Sequence, residues 1–172
     1  MNFNDLVRLR SSIRGYEPAK AVEKDKLLRI LEAGRMAPSA KNNQPWTFVV
    51  ITSAEVLKEV HKAYARDWFW QAPVVIVVKG RREDAWERKY DGYNALETDL
   101  TIAMDHIILA ATAEGLGTCW IAAFEPEILH KALGLKPEEM VFAITPLGYP
   151  SEKGLMVVPK VRKPLSSIVE WR

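Results

Sequence analysis

"MAPSAKNNQPWTFVV", residues 36–50, joins two unlike halves through a connector of unusual chemistry. The second half, "WTFVVIT" at residues 46–52, is rich in aromatic and β-branched residues and reads as a strand. Upstream, residues 23–35 keep Leu27, Ile30, Leu31 and Gly34 on one helical face, with Glu23 and Asp25 in the first turn. A plain helix-to-strand connector uses a glycine or two and solvated polarity. This one places Asn42, Asn43 and Gln44 in a row between Pro38 and Pro45 and ends on Trp46. Taken alone, such amides satisfy local backbone groups in a turn.

Working outward, Phe3, Leu6, Val7 and Leu9 predict a short first helix. Thr52 and Glu55 resemble a capping box opening a helix with Val56, Leu57, Val60 and Tyr64. The run at residues 73–79 is apolar throughout, as in a strand buried on both faces. Residues 80–94 are polar and aromatic, an excursion or partly helical lid. Residues 95–114 form the longest predicted helix. Leu96, Leu100, Ala103, Met104, Ile107 and Ala111 make its stripe, and other apolar residues broaden it enough for a buried or interfacial position. "GLG" at 115–117 caps it. A strand "TCWIA", a helix at 126–133 ending at Gly134 and a strand at 140–147 follow. From Tyr149 the chain is basic and proline-studded, a tail expected to wrap its own body or a partner's. Strands and helices alternate without regular βαβ succession. The expectation is therefore an α+β sheet flanked by helices, with a doubly wound fold second.

The 172 residues suit one domain, 1–172, with a real core. The composition, 48% hydrophobic and 27% charged, is that of an ordinary globular protein. A net charge of +2 argues against nucleic acid unless the charges cluster, and no apolar run reaches a membrane span. Cys119 is the single cysteine, so an intrachain disulfide is excluded and a cytoplasmic setting is expected. His61, His106 and His130 are scattered, and no metal site is expected. Asp99 and Asp105 read as exposed helix acids, and Cys119 as an inert buried thiol.

Walker A, His-Glu-x-x-His and Cys-x-x-Cys patterns are absent. "GLGTCW" carries two glycines of a dinucleotide fingerprint, but it follows a helix and precedes a strand, the reverse of the Rossmann turn. "RLRSSIRGYE" gathers Arg10, Ser11, Ser12 and Arg14 within five residues, a set suited to phosphate or another oxygen-rich anion, or else an exposed basic loop. "PKVRKP" alternates Lys160 and Arg162 between prolines; in extended chain the two point the same way and could close on the same anion. The alternative is a solvated basic tail.

In order and spacing, "RSSIR", "APSAKNNQPW", "GLGTCWIAAF" and "PKVRKP" resemble the flavin-dependent nitroreductase family along almost the whole chain. The resemblance implies a central mixed or antiparallel sheet flanked by helices, a C-terminal arm packed on the partner subunit, and a homodimer with FMN at its interface. It further implies hydride transfer from NAD(P)H through flavin N5 to nitroaromatic or quinone-like small-molecule acceptors in ping-pong fashion. Carried over, Arg10, Ser12, Lys160 and Arg162 hold the FMN phosphate, and Ser11 reaches the ribityl or ring edge. Arg14 sits by the N1–C2 edge, where a fixed cation stabilises the charge of the reduced ring. Pro38, Ser39, Asn42 and Gln44 meet the flavin from the partner, and the backbone at Ala122 and Ala123 approaches N5. On this view the amides match the ring's fixed row of donors and acceptors without adding charge.

The family often has glycines where Ala122 and Ala123 stand and a small residue where Lys41 stands. Lys41, Trp68 and Trp70 are candidates for a substrate pocket; core packing is the alternative for the tryptophans. Other reactions on the same fold, such as reductive dehalogenation, flavin fragmentation or dehydrogenation, and a flavin-binding module without turnover, are the competing expectations.

Overall fold

The alternation of β2 decides the layering. In this computed structural model, which describes residues 2–156 and 159–172, β2 (Val74–Gly80) is a central strand with both faces covered. Successive side chains of a strand point to opposite faces. Val74, Ile76 and Val78 accordingly pack with Ile30, Leu100, Met104 and Ile107, from α2 (Lys24–Arg35) and α5 (Leu96–Ala113). Val75 and Val77 pack instead with Leu57, Val60, Phe69 and Leu129, from α3 (Ala54–Ala63), α4 (Asp67–Trp70) and α6 (Pro126–Leu133). The apolar run of β2 thus supplies two cores.

The sheet has the order β1-β2-β4-β3, with β1 at Trp46–Ile51, β3 at Gly117–Thr118 and β4 at Met140–Gly148. All three pairings are antiparallel, and a register shift interrupts β2–β4 at Val78/Lys79. The α+β expectation holds, and the doubly wound alternative does not. α1 (Phe3–Leu9) lies outside the cores, capped by Asn2, whose side chain accepts from the Asp5 N–H at 2.9 Å.

Several local expectations need correction. Ser53, not Thr52, is the N-cap of α3, and its hydroxyl is spent on the Glu55 carboxylate, so no capping box forms. The strand at "TCWIA" shortens to Gly117–Thr118 plus an isolated bridge from Ile121 to Ile144, because the Cys119 N–H turns to the Thr145 hydroxyl at 3.2 Å. The tail is not structureless: α7 (Glu152–Leu155) and a 3₁₀ turn at Leu165–Ser167 lie within it. Residues 80–94 hold one 3₁₀ turn, Arg82–Asp84, and a bridge from Glu87 to Asn94. Among the described residues no helix is long and apolar enough to cross a membrane.

Candidate functional site

The segment after α1 runs along the sheet edge. Ser12 bridges Thr118 in parallel, and the Ile13 N–H donates to the Thr118 carbonyl at 2.8 Å. On its other side the Glu17 N–H donates to the Tyr149 carbonyl at 2.9 Å, and the Ser151 N–H to the Gly15 carbonyl at 3.1 Å. Tyr16 locks the turn: it is buried, and its hydroxyl donates to the Ile13 carbonyl at 2.9 Å. Sequence-distant segments near residues 10–17 and 149–156 are thereby clamped together. Gly15 and Gly154 make the clamp possible, since a Cβ on Gly154 would run into the Gly15 carbonyl oxygen.

Arg10, Ser11, Ser12, Arg14, Lys160 and Arg162 line one cavity of about 440 Å³, together with Lys153 of α7. Its wall holds no carboxylate. Among the described residues none of these five cations has a carboxylate partner. Lys160 is anchored instead on the end of α1, donating to the carbonyls of Val7 at 2.8 Å and Arg8. Its ammonium pKa is held below the ordinary lysine value, first by desolvation and then by repulsion from Arg10 and Arg162. Five cations around one cavity repel one another, and a bound oxyanion would relieve that repulsion.

Two further cavities adjoin. One of about 410 Å³ shares Arg14 and Lys153 and continues to Trp68, Arg66, Gln71 and the carboxylate of Asp67. Another, larger and mainly apolar at about 620 Å³, shares Ser11 and Lys160 and is lined by Leu9, Ile13, Leu116 and Leu155. The concentrated anion chemistry sits in the 440 Å³ cavity. Cys119 lies buried near Arg10, Ser12 and Arg14; burial pushes its thiol pKa up, and the two guanidiniums and the serine offset this only in part. It stays a thiol at neutral pH.

The amide loop stands apart from these cavities. Lys41, Asn42 and Gln44 have φ of 52°, 58° and 53°, left-handed backbone that non-glycine residues seldom adopt. Such a conformation costs roughly 1–2 kcal/mol per residue. Four ties hold it. The Ala40 N–H donates to Asp99 Oδ1 at 3.0 Å and the Gln44 N–H to Ser39 Oγ at 2.9 Å. Asn43 Nδ2 donates to the Asp84 carbonyl and Gln44 Nε2 to the Asn42 carbonyl, both at 3.1 Å. Asn43 Nδ2 and Gln44 Nε2 are therefore committed within the chain. The Asn42 side chain, exposed, has no hydrogen bond among the described residues. Pro38 is exposed and Ser39 half-buried, whereas Pro45 is buried under the start of β1.

Gln44 lines a fourth cavity beside the Lys79–Glu139 ion pair. Ala122 and Ala123 are exposed and line none of the four. The aromatic triplet divides. Phe69 is core, Trp68 packs edge-on against Tyr64 while facing its cavity, and Trp70 lies outside against His61. Lys41 is exposed and lines none of these cavities.

Sequence reasoning missed two residues. Lys153 lies in a tail that shows no periodicity. Asp99 is not an exposed acid: it is 2% exposed, and its Oδ2 has no partner among the described residues. Its spacing carried the signal, because Asp99 falls three residues after Leu96 and four before Ala103, on the buried stripe of α5.

Comparison with known proteins agrees with this architecture. Residues 7–66 and 55–149 match the Nitroreductase family. A crystal structure of a nitroreductase family protein from Clostridium difficile superposes with a TM-score of 0.88 at 34% identity, covering 99% of this chain and 98% of that one. A Thermus thermophilus protein named NADH dehydrogenase is 31% identical, over 95% of this chain and 92% of its own length. A chain from Exiguobacterium sibiricum, solved in complex with FMN, shares the fold with a TM-score of 0.85 at 23% identity, covering 100% of this chain and 98% of that one. A family match across most of the chain and relatives above 30% identity along nearly all of it lead to one conclusion: the chain belongs to the nitroreductase family.

Proposed function

We propose that this chain is an FMN-dependent NAD(P)H oxidoreductase acting on nitroaromatic or quinone-like acceptors, with residues 1–172 forming one FMN-binding domain. The observation that carries the reading is the carboxylate-free cavity of five cations and two serines. Its donor set fits the dianionic phosphate of FMN, and the adjoining space past Arg14 toward Trp68 gives room for what the phosphate carries.

FMN, when bound, supplies the two-electron carrier between NAD(P)H and the acceptor. Arg10, Ser12, Lys160 and Arg162 hold its phosphate, and Ser11 reaches toward the ribityl chain. Arg14, exposed and without a carboxylate partner among the described residues, would supply a fixed cation for the ring edge that gains negative charge on reduction. Lys153, which lines both cavities, would add a further cation to hold the bound anion.

The amide loop does not share this cavity, so a second copy completes the site. Pro38, Ser39, Asn42 and Gln44 of one protomer meet the flavin held by the other, with Ala122 and Ala123 near N5. Support comes from apolar side chains that want cover: Phe3 and Leu9 on α1, and Leu165, Ile168 and Trp171 (91% exposed) on the C-terminal arm, which packs on the partner subunit.

Purified protein is expected to be yellow or to take up added FMN, and anaerobic NADH or NADPH is expected to bleach it. A colourless protein that takes up no FMN refutes the proposal. Tight FMN binding with no NAD(P)H oxidation under any acceptor reduces it to a flavin-binding module.

A further inference from the structure

Asp99 is a buried carboxylate in the middle of an apolar stripe. Its flanking residues Leu96, Leu100 and Ala103 are at most 1% exposed, so it stands on a rigid frame. Oδ1 accepts the Ala40 N–H, and Oδ2 is buried with no donor among the described residues. That N–H is therefore the one described hydrogen bond to this buried side chain. Each partner depends on the other, because losing either leaves a buried polar group unpaired.

Ala40 is the first residue of the 3₁₀ turn Ala40–Asn42, and its carbonyl accepts the Asn43 N–H at 3.2 Å. Fixing its N–H fixes the turn that carries Lys41 and Asn42 in left-handed backbone. Residues 41–44 are exposed and have no apolar packing of their own to impose that shape.

We infer that Asp99 is the positioning residue of the amide loop. Through Ala40 it sets the presentation of Asn42 and so recognition of the flavin ring, independently of the phosphate cavity. The inference rests on the FMN reading above. Asp99 touches no substrate and carries out no chemical step.

The test breaks the bond from both ends in the full-length chain stripped of flavin. Asp99→Leu removes the acceptor. Ala40→Pro removes the donor at the first position of a turn, where proline is tolerated, and Ser39 before it is already extended (φ −141°, ψ 158°) as a pre-proline residue must be. Asp99→Asn keeps a neutral acceptor. FMN and riboflavin binding are read by quenching of flavin fluorescence, and inorganic phosphate is titrated as a competitor of FMN.

Asp99→Leu and Ala40→Pro are each expected to weaken FMN and riboflavin by the same factor, about 10- to 100-fold. Asp99→Asn should stay within a few-fold of the parent. The double variant should be no weaker than the worse single one, as for one shared interaction. Competition by inorganic phosphate should be unchanged throughout, which a general loss of fold would not allow.

Unchanged flavin affinity in Ala40→Pro overturns the inference while leaving the FMN reading intact; so do single effects that multiply in the double variant. If Asp99→Leu does not fold, Ala40→Pro and Asp99→Asn decide between these outcomes. A parent protein that binds no FMN refutes the FMN reading and the inference together.

Discussion

The cationic cavity and the amide loop solve opposite problems. The cavity is assembled from residues about 150 positions apart and, among the described residues, keeps its charges without carboxylate partners. The loop is contiguous, is tied both within itself and to Asp84 and Asp99, and keeps its strain in the backbone. One is preorganised by packing between distant segments, the other by a few hydrogen bonds, two within the loop and two reaching to Asp84 and Asp99. The difference teaches where each is fragile: the cavity at its seams, the loop at its ties.

The seam gives the largest expected effect. Gly154 lies against Gly15 so closely that any side chain must push α7 off the segment carrying Ser11, Ser12 and Arg14. Gly154→Val should cost about 3 kcal/mol by overpacking and weaken FMN binding roughly 100-fold. Flavin titration and thermal unfolding of the same sample check both. Intact binding with a displaced seam would mean that the cations need no fixed wall.

Within the cavity, Arg162→Ala should weaken FMN about tenfold, at the low end for a hydrogen bond to a charge because Arg162 is exposed. Riboflavin, which lacks the phosphate, should bind unchanged. Equal loss for both ligands would erase the division of labour between cavity and loop.

The two regions also differ in what the chain's letters disclose. The apolar run of β2, the stripe of α5 and the glycine caps were legible, because periodicity and left-handed glycines at 115 and 134 are local signals. The charged and hydroxyl residues at 10–14 and 160–162 were legible as chemistry, but nothing local shows that Ser12 extends the sheet beside Thr118. That contact is set by non-local pairing. The loop hid its strain for another reason: its left-handed residues are Lys41, Asn42 and Gln44, and no glycine marks them. Asp99 was misread because a lone helix acid is usually solvated, although its register already placed it on the buried stripe.

Lys160 supplies a pH test. Its pKa is depressed by desolvation and by Arg10 and Arg162. Between that lowered value and the ordinary lysine value the unfolded chain binds more protons than the folded one. Stability without ligand therefore rises with pH across this window. A bound dianion favours the charged ammonium, so FMN affinity should fall as pH rises through the lowered pKa. Lys160→Met should remove both slopes. Chemical unfolding and flavin titration from neutral to alkaline pH read them. A parent protein whose FMN affinity is flat across that range would show that Lys160 does not face the phosphate.

The smallest effect belongs to the loop and tests whether its strain serves the site. Lys41 is exposed, sits at φ 52° and has no hydrogen bond from its side chain among the described residues. Lys41→Gly removes a left-handed cost of roughly 1–2 kcal/mol but adds unfolded-chain entropy of about 0.5–1 kcal/mol. The net gain should lie between about 0 and 1.5 kcal/mol, a rise in Tm of roughly 3–6 °C at most. Lys41→Asn, which tolerates the same backbone better than lysine, should fall between the two. With Asp99 and Ser39 still holding the turn, FMN affinity should stay within about twofold, since neither tie involves residue 41. A tenfold loss in Lys41→Gly, with Tm raised, would show that the stiffness of this residue, and not the hydrogen bonds around it, keeps Asn42 aimed.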